Sequence, residues 1–185
     1  MLRIVVPERE YFDSSKGEFF YLRKQTLDLE HSLISISKWE SKWKKPFLGK
    51  EGKTYEESLD YIKCMTLNSN IDPDTYLGLT QDVFNRVSQY IDDSMTATWF
   101  NEHQQQGKPK GGNKNQVVTS ELIYYWMIAY EIPFECQKWH LNRLLTLIRI
   151  CEIKNAPSKK MSKRDIYAQY GALNAARKHK LGTNG

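Results

Sequence analysis

The tract NEHQQQGKPKGGNKNQ at residues 101–116 contains no Ala, Val, Ile, Leu, Met, Cys, Phe, Tyr or Trp. Such a segment cannot offset the entropy of ordering itself by burying apolar surface. The sequence therefore predicts a flexible linker over 101–116 with a folded unit on each side, residues 1–100 and residues 117–185. All five Trp, eleven Tyr and seven Phe lie outside the tract. A hydrophobic share of 40% belongs to a globular chain rather than a disordered one.

In the first unit, Leu2 to Val6 is a β-branched run ended by Pro7, and Phe19 to Leu29 is a second extended stretch. Asp13-Ser-Ser-Lys-Gly17 between them has turn chemistry, so an N-terminal β-hairpin is expected. Ser32 offers an N-cap, and Leu33, Ile36, Trp39, Glu40 and Trp43 follow at helical spacing until Pro46 stops the pattern. Thr54-Tyr-Glu-Glu57 has the form of a capping box, opening a helix to about Met65. Asp72-Pro73 starts another turn, and Thr80 is expected to cap a helix whose Val83, Phe84, Val87, Tyr90 and Ile91 form a stripe.

In the second unit, Thr119 or Ser120 starts a helix from Glu121 to about Tyr130, which Ile132-Pro133 breaks before a longer helix from about Glu135 to Ile153. Asn155-Ala-Pro-Ser158 reads as a turn. Ser162-Lys-Arg-Asp165 resembles a capping box and leads a last amphipathic helix through Ile166, Tyr167, Tyr170 and Leu173. The expected fold class is mainly α with a small N-terminal β-hairpin, in two small units.

The motifs of catalysis are missing. No phosphate-binding glycine loop, dinucleotide fingerprint, nucleophile elbow or H-E-x-x-H pair occurs. Cys136 and His140 stand four apart on the expected longer helix and are the one pair that a single helix could aim at a metal or use as nucleophile and base. Two ligands are too few for a structural zinc site, so a packed thiol and a hydrogen-bonded imidazole are expected, with no cofactor and no enzyme activity. Cys64, Cys136 and Cys151 have no CxxC spacing and are expected as reduced thiols. No apolar run is long enough to span a membrane, and a soluble intracellular chain is the expectation.

Charge is unevenly placed. From Lys154 onward there are eight Lys or Arg against Asp165 alone, although the whole chain is only +5. A basic end of this kind attracts an acidic protein surface or nucleic acid, and the protein partner is favoured because Tyr167 and Tyr170 share a helical face with apolar residues. Trp39 and Trp43, flanked by lysines, read as core or as partner anchors with a basic rim, one of the two being expected inside. Tyr124, Tyr125, Trp126 and Tyr130 wrap their helix on most sides, which leaves at least one at the surface. The residues expected to meet a partner are Trp39, Trp43, Tyr125 and Trp126 as apolar anchors, and Lys159, Lys160, Lys163 and Arg164 as electrostatic contacts.

Several blocks together carry a resemblance: Ser37-Lys-Trp-Glu-Ser-Lys-Trp43 with Lys45-Pro-Phe47, Met95-Thr-Ala-Thr98, Tyr124-Tyr-Trp-Met127, Pro133-Phe-Glu-Cys-Gln137, Trp139-His-Leu-Asn-Arg-Leu-Leu145 and Leu173-Asn-Ala-Ala-Arg177. Across nearly its whole length the chain resembles the tail assembly chaperones of long-tailed bacteriophages. The resemblance implies a non-catalytic factor in the host bacterial cytoplasm that binds the tape measure protein, helps recruit tail tube protein, and is absent from the finished virion. Self-association stays open, and the alternatives are a structural tail or neck protein retained in the virion or a nucleic-acid binder using the basic tail.

Overall fold

The computed structural model describes residues 1–13, 17–100, 117–156 and 163–182. The expected linker 101–116, the cap Ser162 and the expected contacts Lys159 and Lys160 lie outside the described residues. The fold is mainly helical with a small antiparallel N-terminal β-structure, in line with the sequence. Strands β1 (Leu2–Val6) and β4 (Gln25–Leu29) pair antiparallel, as do β2 (Arg9–Asp13) and β3 (Glu18–Leu22). Leu2 opposes Leu29 and Asp13 opposes Glu18, so one register runs the length of a single hairpin. Its pairing is interrupted where Pro7, which has no N–H to donate, faces the Arg23-Lys24 side. Alternation turns Ile4, Val6, Leu27 and Leu29 inward, while Arg3 Nε donates to Asp28 at 2.7 Å on the outer face.

Helix α1 (Leu33–Trp43) begins where Ser32 Oγ accepts from the Ser35 N–H and ends at Lys44, whose φ of 55° is left-handed. Helix α2 (Tyr55–Met65) opens on a complete capping box: Thr54 Oγ1 accepts from the Glu57 N–H, and Glu57 Oε2 accepts from the Thr54 N–H. The end of α2 meets β4, with Glu30 N–H bonded to Met65 C=O and Leu67 N–H to Asp28 C=O. A 3-10 helix over Pro73–Gly78 then lies on the hairpin so tightly that a Cβ at Gly78 would stand 3.0 Å from both Leu22 and Val6 side-chain carbons. Helix α3 (Gln81–Asp92) starts after Thr80, which makes no side-chain cap contrary to expectation, and turns Val83, Val87 and Tyr90 inward.

Helix α4 (Ser120–Ala129), a 3-10 turn at Phe134–Lys138, α5 (Leu141–Asn155) and α6 (Lys163–Leu181) follow. Ile123 and Met127 of α4 and Leu141, Leu144 and Ile148 of α5 join the same buried cluster as Leu33, Ile36 and Trp39 of α1. The expected division at 101–116 is therefore corrected. Residues Met1–Glu152 make one compact body, and residues 153–185, which contain α6, make a second unit. The two apolar stretches flanking the polar tract complete each other's core instead of closing separately. Among the described residues no helix is long and apolar enough to cross a membrane.

Candidate partner-binding surfaces

Two buried polar contacts join the sequence halves of the body and so determine which side chains are left for a partner. Glu40 of α1 is buried, with Oε1 accepting from the Phe47 N–H at 2.7 Å and Oε2 from the Ser120 N–H at 2.8 Å. Thr119 makes no side-chain cap, so the Glu40 carboxylate takes that place at the positive end of α4. The second contact is a backbone seam. Ser32 bridges His140, and the Leu141 N–H donates to the His31 carbonyl at 2.7 Å.

The seam buries both imidazoles edge to face, 5.1 Å between ring centres. His31 Nδ1 is hydrogen-bonded to the Tyr61 hydroxyl, and burial, helped by His140 and Lys53, pushes its pKa down to about 3. His140 Nδ1 faces the Asn142 N–H at 3.3 Å, which leaves Nε2 to donate to the Tyr90 carbonyl at 2.9 Å. Both rings are held by structural bonds. The extended backbone at 139–140 also means that Cys136 and His140 do not share a helix, contrary to the expected run from Glu135 to Ile153. Cys136 sits in the preceding 3-10 turn, where burial raises its thiol pKa. Among the described residues no group of three His, Cys, Asp or Glu side chains could hold a metal.

The expected partner residues separate into different places. Trp39 is 2% exposed, its indole N–H bonded to the Glu57 carbonyl at 2.8 Å, so as a partner anchor it is corrected to a core residue. Trp43 is half-buried; it stacks on Trp39 with ring centres 6.2 Å apart and donates to Asp60 at 3.0 Å. Trp126 is also half-buried and lines a cavity of about 290 Å3 with Tyr130, Leu145, Ile148, Arg149 and Glu152. Tyr125 is the open one, at 61% exposure.

Ile128, one turn beyond Tyr125, is 63% exposed, and Phe134, beside Tyr124 at 6.4 Å between ring centres, is 52% exposed. Sequence reasoning missed these two, although the i, i+3 spacing of Tyr125 and Ile128 already put them on one helical face. In the C-terminal unit, Lys163 is the first residue of α6, and Arg164, Tyr167, Tyr170 and Leu173 are exposed along it.

A second cleft, of about 640 Å3, lies between the loop after α1 and the residues leading into α4. Trp39, Pro46, Leu48, Val117 and Val118 supply its apolar walls, and Lys45, Lys50, Lys53, Glu51 and Glu57 its charges. The lysines around Trp43 stand out in the sequence but the cleft does not, because Val117 and Val118 arrive from the far side of the polar tract.

No protein-family model, curated protein or solved structure matches the chain.

Proposed function

We propose that the chain is a non-catalytic tail assembly chaperone of a long-tailed bacteriophage, which shelters the long helical tape measure protein in the host cytoplasm and yields to tail tube subunits. The observation that carries the reading is the pair of uncovered apolar side chains on α4, Tyr125 and Ile128, together with exposed Phe134 beside Tyr124 of the same helix. Side chains of this size are each worth about 1.5–3 kcal/mol when fully buried, so one copy gains a modest affinity for an apolar helix. Modest affinity suits a chaperone that must leave. Repeated along a long client it gives tight coating through avidity, while each copy still dissociates fast enough to be displaced. Specificity belongs to the sequence blocks whose resemblance names the client.

Co-expression with the tape measure protein tests this. The wild-type chain is expected to keep the client in solution and to copurify with it, whereas Tyr125→Ser combined with Ile128→Ser loses it. Failure of the wild type to retain the client overturns the reading, and undiminished retention by the double variant overturns the surface. Mass spectrometry of purified virions separates the reading from a structural tail or neck protein, since a departing chaperone is expected to be absent from the particle.

A further inference from the structure

The loop after α1 concentrates positive charge beside an apolar hollow. Between residues 42 and 53 the chain has five lysines and one glutamate. Two of those lysines are committed, Lys42 to Asp60 and Lys45 to Glu57 at 2.7 Å. Glu57 is committed as well, because its other oxygen accepts from the Thr54 N–H. Lys50 makes no ion pair among the described residues. Lys53 Nζ lies 4.0 Å from the centre of the Phe47 ring and 5.7 Å from that of Trp39, and donates to the Phe47 carbonyl at 2.9 Å. Glu57 attracts Lys53 as well as Lys45, so three lysines, Lys45, Lys50 and Lys53, face two carboxylates, Glu51 and Glu57, around the cleft, and Lys50 is the charge left in excess.

We propose that this cleft binds a short acidic peptide segment of a partner protein. Carboxylates of the segment meet Lys50 and Lys53, and one apolar side chain packs on Leu48, Val117 and the edge of Trp39. Three observations fit this occupant. Leu48 and Val117 are exposed aliphatic groups in a hollow roomy enough for a side chain. The Lys53 ammonium is fixed over the Phe47 ring at the wall of the cleft while its side chain stays exposed, so a carboxylate entering the cleft can reach it. Glu51 and Glu57 on the same rim disfavour a densely charged phosphate polymer, whereas a peptide can place an uncharged residue beside them. The surface is separate from the α4 face, and the proposal does not rest on the client assigned there.

The test is NMR on the full 15N-labelled chain with the probe acetyl-Glu-Asp-Leu-Glu-Asp-amide and its isosteric neutral control acetyl-Gln-Asn-Leu-Gln-Asn-amide. Saturable shifts are expected at the amides of Gly49, Gly52 and Val117 and at the Trp39 indole N–H, with none from the neutral peptide. K50E, at a position with no ion pair to lose among the described residues, is expected to weaken binding about tenfold. A chain in which Arg164, Arg177, Lys178 and Lys180 are all changed to Gln is expected to bind as the wild type does. Shifts confined to α6, an unchanged affinity in K50E, or displacement of the peptide by a short single-stranded RNA each overturn the proposal.

Discussion

Helices α1 and α4 lie in the same body and contact each other, yet α1 encloses one of its aromatic residues, Trp39, and α4 leaves one of its own, Tyr125, uncovered. Helix α1, LISISKWESKW, is interspersed with serines and charges but buries Leu33, Ile36, Trp39 and Glu40. Helix α4, SELIYYWMIA, is nearly all apolar after its first turn but buries only Ser120, Ile123 and Met127. Hydrophobic content alone thus says little about which side chains are inside. Neighbours decide: α1 is covered by α2, α4 and the 3-10 turn before α5, while α4 offers more apolar area than its neighbours cover. The surplus faces outward, and an uncovered aromatic and aliphatic patch is where a partner gains most.

The largest expected effect comes from breaking the inner half of this contrast. Trp39→Ala removes a fully packed indole and the hydrogen bond it donates to the Glu57 carbonyl. Large-to-small changes at such sites cost about 3–5 kcal/mol, a large part of the stability of a body this size. Urea denaturation followed by circular dichroism is expected to show the midpoint falling by a corresponding amount, or no cooperative transition at all. A loss of under about 1 kcal/mol would mean that Trp39 is peripheral and that the two helices do not differ as described.

Features encoded within one turn of chain are legible in the sequence. Ser32 caps α1 and Thr54 with Glu57 closes a capping box, because donor and acceptor are three residues apart and need nothing else to meet. The hairpin is legible in outline, but the expected strands leave out Arg9–Asp13, and Pro7 interrupts the first arm instead of ending it. What the sequence conceals is the joining of its halves. Glu40 reaches Ser120 and His31 reaches His140, over separations that no local pattern reports, and Glu40 on its own reads as one more charge on a lysine-rich helix. The same seam explains the broken helix near Cys136. Residues 139–140 must be extended to bridge Ser32, and the Leu141 N–H serves His31 instead of an i−4 carbonyl. Of the four aromatic anchors expected, Tyr125 is open, Trp43 and Trp126 are half-covered and Trp39 is core, because helical position and not residue type determines exposure.

An intermediate effect sharpens the contrast through pH. His31 titrates near 6.5 when exposed but near 3 in the folded chain, so between those values the unfolded chain binds the extra proton. Stability contributed by the neutral ring is complete above about pH 6.5 and declines as pH falls, by about 1.4 kcal/mol per pH unit until the folded value is reached. His140, Lys53 and Tyr61 face the ring, and none of them offers a negative charge to stabilise the imidazolium. Asp28 and Glu57, which are held below the usual carboxylate range by Arg3 and Lys45, lose their contributions only at lower pH. Imidazole 13C shifts are expected to show His31 neutral at pH 5, and urea midpoints are expected to begin dropping as pH falls through about 6.5. A His31 signal that titrates near 6.5 in the folded chain would remove the seam from the buried side of the comparison.

The smallest expected effect on stability is the most informative for function. Tyr125 and Ile128 expose most of their surface, so replacing both with Ser removes little that the body depends on. Surface changes of this kind shift stability by about 0.5 kcal/mol or less, with a slight further cost from the lower helix propensity of Ser. The double variant is therefore expected to unfold at nearly the wild-type urea concentration while losing the tape measure protein in copurification. That pairing separates a binding face from a packing face: a large drop in midpoint would place Tyr125 and Ile128 with Trp39 as structural residues, and only unchanged stability together with lost binding keeps the outer face of α4 as the place where a client is held.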